Sequence, residues 1–176
     1  MILVIIPIFV VLAAASWFLI SSKVLKSIFG TIFTIGAVAS IGLLSANMDS
    51  HYGMKKETTV TTTQVYSAAP AQMPIGMAAA KKIGTDDYVL VYKDKPSDAQ
   101  ATAHFAPDTS DIVKSVKSSA TFKKTDTTTA QVKTSTTKWV YKNDTYKWLF
   151  KQDKEDNLVK AVHTLEVPAT WQVAIK

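Results

Sequence analysis

Three histidines, His51, His104 and His163, are the residues best suited to metal binding or proton transfer in a chain that has no cysteine. They lie too far apart in the sequence to form a local metal-binding motif. His163 falls in a predicted strand, on the same face as Leu165 and Val167, so we expect a buried, hydrogen-bonded structural histidine. The sequence therefore predicts no metal site and no cofactor.

The acidic residues cluster in two places, Asp86-Asp87 and Asp153–Asp156. Neither cluster has the spacing of a calcium loop, and we expect the first to cap a turn and the second to be a solvated turn. A hydrolase would need paired carboxylates contributed by separate strands. Two inward carboxylates in one cleft, at least one with a perturbed pKa, would favour that function. The chain has no nucleophile elbow and no phosphate-binding glycine loop, so we expect no enzymatic activity.

All 20 basic residues are lysines, against 14 acidic residues, which gives a formal net charge of +6. Without arginine there is no bidentate group for phosphate or guanine, so the composition argues against nucleic-acid binding. A lysine-rich surface would make weak, salt-sensitive contacts with anionic cell-envelope polymers. Solvated strand faces are the simpler explanation for these lysines.

Four aromatic residues flank a predicted hairpin turn at Asn143-Asp144. A two-residue turn there would place Trp139 opposite Trp148 and Tyr141 opposite Tyr146. Since side chains alternate along a strand, all four rings would share one face. That face would be either core or an exposed platform for sugars or peptides, and core is the commoner fate. If it is core, truncating Trp148 should destabilise the fold.

The elements that precede these residues are two long apolar segments, at about 1–20 and 28–46. Each is close to the length that crosses a hydrocarbon core about 30 Å thick as a helix. A signal peptide is the competing interpretation of the first segment. It would need a positive region before the apolar run, whereas here the run begins at Met1, so we expect a retained helix.

Small residues in the second segment recur four apart, which allows two helices to pack closely in lipid. The predicted helix-packing residues are Gly36, Ser40, Gly42 and Ala46. The short linker between the segments contains Lys23 and Lys26 and no acid, so the positive-inside rule places it in the cytoplasm. We therefore expect a two-pass protein of the cell membrane with both termini extracytoplasmic.

The remainder of the chain is rich in threonine, valine, lysine and tyrosine, which favours strands over helices. The sequence predicts a transmembrane helical hairpin over 1–48 and, over 49–176, an all-β extracytoplasmic domain, either a small antiparallel sandwich or an open barrel. The segment Ser67–Lys82 is predicted to be a loop with some extended chain, and Asp111–Ser119 fits either a helix or a strand. The predicted strands are Thr58–Tyr66, Tyr88–Tyr92, Thr129–Lys142, Thr145–Phe150, Val159–Val167 and Trp171–Ile175.

The order of these features resembles a known family. Two hydrophobic spans are followed by His51-Tyr52-Gly53-Met54-Lys55-Lys56, then by the aromatic segment Trp139–Phe150 and by Leu165–Trp171. This order is similar to that of an uncharacterised family of small membrane proteins of lactic acid bacteria, defined by a domain of unknown function (number 4811). The resemblance covers almost the whole chain and implies a Gram-positive cell membrane with an extracytoplasmic domain. It implies no activity, cofactor or catalytic residue.

We expect a membrane-anchored, non-enzymatic protein whose outer β-domain binds or braces a partner, such as a larger membrane protein. Besides the lipid bilayer, its partners would then include that membrane protein. Two alternatives remain open: a sensor or binding module for anionic cell-envelope polymers, and an envelope hydrolase. An exposed aromatic groove at the residues Trp139, Tyr141, Tyr146 and Trp148 would favour the binding module.

Overall fold

The computed structural model of the protein describes residues 1–70, 72–152 and 157–176. The turn predicted at Asp153–Asp156 lies outside the described residues. Two long helices come first, α1 over Ile2–Leu19 and α2 over Lys23–Ser50. Both are long and apolar enough to cross a membrane. Most of their large apolar side chains are exposed, as lipid-facing side chains are.

Two close approaches hold α1 and α2 together. Gly30 has no side chain, so the indole of Trp17 packs directly against it. The ring of Phe9 packs against Gly36 in the same way. Ser40 is buried, and its hydroxyl donates to the carbonyl of Gly36 at 2.8 Å, which satisfies its polar group inside the helix. Of the other residues predicted to pack the helices, Ala46 is half-buried and Gly42 faces open space. The sequence did not single out Gly30.

A matched pair of glycine substitutions tests this packing. In the variant Gly30→Ala the new Cβ would lie 2.6 Å from Cε2 of Trp17, so the indole must move. Overpacking of this kind costs about 1–3 kcal/mol. We expect a lower melting temperature for the full chain in mild detergent. Gly42→Ala, with nothing within 4 Å of the new Cβ, should match the wild type. Equal effects of the two changes would contradict the packing.

The chain after α2 is mostly β structure in two four-stranded sheets. The first sheet has the strand order β1-β6-β7-β5 and the second has the order β4-β3-β2-β8. The strands are β1 over Met54–Gln64, β2 over Met77–Lys82, β3 over Tyr88–Tyr92, β4 over Thr102–His104, β5 over Ser118–Thr125, β6 over Gln131–Tyr141, β7 over Leu158–Pro168 and β8 over Gln172–Ile175.

Strand pairing differs from the antiparallel prediction, because each sheet contains one parallel pair. In the first sheet β7 is antiparallel to β6 and parallel to β5. In the second sheet β2 is antiparallel to β3 and parallel to β8. Parallel neighbours need a crossover connection, and the chain between β5 and β7 supplies one that contains β6. Pairing of strands so distant in sequence leaves no local pattern that a reader of the sequence could detect.

Two short helices interrupt the β structure, and one of them overturns a predicted strand. Helix α3 spans Ile112–Lys117 and runs directly into β5, so the ambiguous segment is a helix followed by a strand. Helix α4 spans Asp144–Phe150, where the sequence predicted the second arm of a hairpin. The reason lies in Asn143, whose Oδ1 accepts a hydrogen bond from the amide of Tyr146 at 3.0 Å. That contact caps a helix and does not form a hairpin turn.

Buried side chains from both sheets form one hydrophobic cluster. It includes Leu90 of β3 and Leu165 of β7, both with no exposed surface. Phe122 and Trp171 are partly buried and pack against it. The other members are Val65, Ala78, Ala80, Tyr92, Ala120, Ala130, Val132 and Val167.

The chain divides into two compact units. The first comprises Met1–Lys56 and Trp139–Asn157, and therefore contains both long helices and α4. The second comprises Glu57–Lys138 and Leu158–Lys176, and contains the hydrophobic cluster. The unit boundaries fall within β1 and β6, because each of these strands contributes residues to both units.

Candidate functional site

The four aromatic residues predicted to share a face are divided between two elements. Trp139 and Tyr141 lie on β6, whereas Tyr146 and Trp148 lie on α4. Trp148 is 57% exposed, and the other three are half-buried. The predicted hairpin is therefore wrong, and the rings do not form one continuous cross-strand face.

Trp139 contacts two basic side chains of its own chain. The imidazole of His51 stacks on the indole with ring centroids 4.2 Å apart and planes 16° apart. The ammonium of Lys56 lies 5.2 Å from the same ring centroid, within reach of a cation–π interaction. His51 adopts a left-handed backbone conformation that ends α2, so the stack joins the end of α2 to the end of β6. Trp139 and Tyr141 also line a groove of about 570 Å³.

Tyr146 is held against the connection between α2 and β1. Gly53 has φ of +82° and lies so close to the Tyr146 ring that a Cβ there would come within 2.6 Å of Cδ1. Tyr52 meets Tyr146 edge-on at 5.7 Å, and hydrogen bonding with Tyr146 raises the pKa of Tyr52 above its ordinary value. On the other side Tyr146 stacks on the buried Phe150. This cluster fixes α4 to the end of α2.

The second unit contains a cleft of about 250 Å³. Two carboxylates, Asp87 and Asp108, line it together with Lys114 and Ser115. Its apolar wall comes from Phe105, Ala106, Pro107, Leu158 and Ala161, and Ser118 completes the lining. Two carboxylates in one cleft, at least one with a perturbed pKa, were the feature predicted to favour a hydrolase. The direction and cause of the perturbation therefore decide what this site can do.

Both carboxylates are engaged by nearby backbone groups. One oxygen of Asp87 accepts from the amides of Ala120 at 2.6 Å and Tyr88 at 3.1 Å. Asp108 accepts from the hydroxyl of Ser110 at 2.6 Å, and this hydrogen bond is the main cause of a pKa below the ordinary aspartate value. A general acid for glycoside hydrolysis needs a raised pKa. Asp108 is therefore an acceptor in this cleft and not a proton donor of that kind.

His163 is hydrogen-bonded, as predicted, but it is half-buried rather than fully buried. Its Nδ1 lies 2.9 Å from the hydroxyl of Thr134, and its ring stacks on Phe105 with centroids 3.9 Å apart. Burial is the main cause that lowers the pKa of His163, and the charge of Asp87 opposes it. His104, the last residue of β4, stacks on Tyr92 of β3 with ring centroids 3.9 Å apart. Burial raises the pKa of Tyr92 to about 12. These contacts are typical of structural aromatic residues.

A polar cluster that sequence reasoning missed surrounds Glu166 on β7. Its carboxylate is almost completely buried and accepts from Lys123 and Lys133, each at 2.9 Å, and from Gln131 at 2.7 Å. Lys123 lies directly opposite Glu166 on β5, and Gln131 directly opposite on β6. These hydrogen bonds, with that from Lys123 the strongest influence, lower the pKa of Glu166 to about 2. The cluster connects three strands and serves stability.

Because the pKa of Glu166 is depressed in the folded protein, its contribution to stability is complete above the ordinary carboxyl pKa, which is about 4.5. It should be lost progressively as the pH falls from about 4.5 towards about 2. We expect Glu166→Gln to melt below the wild type at neutral pH, with the difference shrinking over that acid range. Thermal unfolding at a series of pH values measures this. The exposed Asp126→Asn should track the wild type, and a pH-independent gap for Glu166→Gln would contradict the argument.

Comparison with known proteins gives one match. No curated protein and no solved structure matches the chain. The family model described as a domain of unknown function, DUF4811, matches residues 21–175. That range covers α2, both sheets and the aromatic segment of α4. Since most of the chain fits the family model, the protein belongs to the DUF4811 family.

Proposed function

We propose that the protein is a membrane-anchored, non-enzymatic accessory protein of a Gram-positive cell membrane, whose β region binds or braces a larger membrane protein. In this proposal residues 1–48 form a two-pass hairpin and residues 49–176 form an extracytoplasmic β-sandwich. Lys23 and Lys26 lie in the first turn of α2, next to the short connection from α1, and they support a cytoplasmic location for that connection. Both termini would then lie outside the cytoplasm.

Two single-cysteine variants test the orientation. The chain has no native cysteine, so Ser22→Cys and Thr62→Cys each introduce one reporter thiol at an exposed position. A membrane-impermeant maleimide added to intact cells should label Thr62→Cys and leave Ser22→Cys unlabelled. Both should react after the cells are opened. The reverse pattern in intact cells would overturn the orientation.

The observation that carries the proposed partner binding is the edge strand β1. It lies at one edge of the first sheet and is 11 residues long. Every residue from Lys55 to Gln64 is exposed, including Val60, which is 61% exposed. A strand at a sheet edge presents backbone amides and carbonyls that another chain can pair with. Natural proteins usually shorten or cover such an edge, so a long exposed one favours a binding role.

The chemistry of β1 fits recognition through the backbone. Its outer part, Thr58–Gln64, contains only threonine, valine and glutamine, and it has no glycine, proline or charge that would discourage pairing. An extended segment of a partner would add a strand by main-chain hydrogen bonds, with the threonine hydroxyls and Val60 contributing side-chain contacts. Because β1 begins four residues after α2 ends, a partner located in the same membrane is within reach.

Site-specific photocrosslinking tests the edge. A photoreactive amino acid at Val60 should give one discrete crosslinked product with a membrane protein in living cells. Val116 on α3 is the matched control, because it is also a valine of the second unit and is 82% exposed. It should give no such product. Absence of a product at Val60, or the same products at both positions, would contradict binding through β1. Purification in mild detergent and mass spectrometry would then identify the partner.

The two alternative functions receive less support from the described residues. A binding module for anionic cell-envelope polymers that used the four aromatic residues would need one shared face, whereas two of them lie on β6 and two on α4. An envelope hydrolase would need a carboxylic acid with a raised pKa, whereas that of Asp108 is lowered. The accessory role is therefore preferred.

A further inference from the structure

Helix α4 lies at the level where the first long helix begins. The backbone nitrogen of Met1 donates to the carbonyl of Leu149 at 3.2 Å. Helix α1 has 18 residues and is therefore about 27 Å long, close to the thickness of a hydrocarbon core. If α1 spans the bilayer, as the proposed function requires, its first residue lies at one boundary of the hydrocarbon. The contact with Leu149 then places α4 at that same boundary.

The end of α2 provides a second, independent indication of this level. Helix α2 ends at Ser50, and Tyr52 directly after it meets Tyr146 of α4 edge-on. Because α1 and α2 are antiparallel neighbours joined by a short connection, the beginning of α1 and the end of α2 emerge on the same side. Helix α4 is thus fixed to the ends of both spans on that side.

The outer face of α4 has the composition of a membrane-interface surface. Asp144, Lys147, Trp148 and Lys151 recur at helical spacing on the exposed side, while Tyr146 and Phe150 point towards the protein. Tryptophan is enriched at the boundary between hydrocarbon and headgroups, where its ring is apolar and its N–H is hydrated. Lysine stems lie along apolar surface while their ammonium groups reach the phosphates.

These outer residues also line a groove of about 400 Å³. Lys147, Trp148 and Lys151 form it with Asp144 and Met1. The two lysines are one helical turn apart. Among the described residues that line the groove, the carboxylate is Asp144, at the opposite end of α4 from Lys151. Lys151 ends α4, where the partial negative charge of the helix favours a cation. The groove therefore joins an indole to two ammonium groups.

From these contacts we propose that α4 is an interfacial helix whose outer face binds an anionic phospholipid, with Trp148 at the acyl boundary and Lys147 and Lys151 on the lipid phosphate. The partner chemistry is a glycerophospholipid with a net negative headgroup, such as phosphatidylglycerol. This inference depends on the membrane anchoring in the proposed function and does not depend on partner binding through β1.

Depth-dependent fluorescence quenching tests the position of α4. The chain has four tryptophans, Trp17, Trp139, Trp148 and Trp171, and variants that retain one each, with phenylalanine at the others, report on separate places. The full chain would be reconstituted in vesicles of phosphatidylcholine and phosphatidylglycerol whose acyl chains carry bromine near the headgroup or near the terminal methyl. Trp148 emission should be quenched more by bromine near the headgroup.

Trp17 distinguishes failure of this inference from failure of the membrane anchoring. It lies within α1, so brominated lipid should quench it wherever α4 is located. Quenching of Trp17 without quenching of Trp148 would overturn the placement of α4 and leave the anchoring intact. Absence of quenching at both would overturn the anchoring itself, and the inference with it.

Substitution of the two lysines of α4 tests whether they contact an anionic lipid headgroup. Raising the phosphatidylglycerol fraction should increase the quenching of Trp148, and Lys147→Gln with Lys151→Gln should abolish that increase. Lys81→Gln with Lys82→Gln is the matched control, because it removes two exposed lysines from β2 and should leave the lipid dependence unchanged. A dependence on phosphatidylglycerol that survives the α4 substitutions, or that is absent from the wild type, would overturn the proposed lipid contact.

Discussion

Phe150→Ala should destabilise the first unit by about 3–5 kcal/mol, as expected when a buried aromatic side chain is removed. Phe150 is 1% exposed and stacks on Tyr146, so the substitution leaves a cavity beneath α4. Small proteins are stable by only about 5–15 kcal/mol, so the loss should appear as a large drop in melting temperature of the full chain in mild detergent.

Trp148→Ala is the matched control for this prediction. It removes an aromatic side chain of similar size from the same helix, two residues away, but Trp148 is 57% exposed. We expect little change in melting temperature. The sequence instead predicts a large loss of stability for Trp148→Ala, because a hairpin would place Trp148 in the core. A larger effect from Trp148→Ala than from Phe150→Ala would restore that interpretation.

Leu165→Ala should cost about 2–5 kcal/mol in the second unit. Leu165 has no exposed surface and lies in β7, opposite Phe122 of β5 and Val132 of β6. Truncating it opens a cavity at the middle of the hydrophobic cluster, where three strands of the first sheet meet. Equilibrium unfolding of the full chain, followed by circular dichroism, measures the loss.

Ile175→Ala provides the comparison for Leu165→Ala. It removes the same number of carbons from an aliphatic side chain of β8 that is 63% exposed. Surface substitutions of this kind usually change stability by less than about 0.5 kcal/mol. A similar loss from both variants would show that the hydrophobic cluster does not have the extent described above.

The sequence predicted best those elements whose pattern is local. Two uncharged runs predicted α1 and α2, and the apolar or threonine-rich runs that became β1, β3, β6, β7 and β8 were recognised within a few residues. Strand β5 was missed because its residues, Ser118–Thr125, include three lysine or alanine positions and follow a helix without a turn. The short β4 has only three residues, too few for a periodic signal.

The segment Asp144–Phe150 shows why the candidate face was wrong. Its aromatic and lysine residues alternate, which fits a strand, but Tyr146 and Phe150 are also four apart, which fits a helix. In a segment of only seven residues, the two-residue period of a strand and the helical period are both present. The cap from Asn143 and the space left by Gly53 favour the helix, and Gly53 is distant in sequence. A prediction from the local sequence cannot include the contact between Gly53 and Tyr146.

The polar clusters also could not be predicted from the sequence, because their members are far apart in the chain. Glu166 acquires its partners Lys123, Lys133 and Gln131 only through the register of β7 with two other strands. The cleft beside Asp87 likewise depends on contacts between residues far apart in the chain. A glutamate between leucine and valine in a strand was the one available signal, because a buried carboxylate requires cationic partners.

The parallel pairing of β2 with β8 has a consequence for how the protein folds. Strand β2 is synthesised early, yet its neighbour Gln172–Ile175 is added only after β3 to β7 have been made. Contacts between such distant segments slow folding, because a long loop must close before they form. One edge of β2 therefore stays open until the last strand has been made. Lys81 and Lys82 at the end of that strand discourage premature pairing with other chains during this interval.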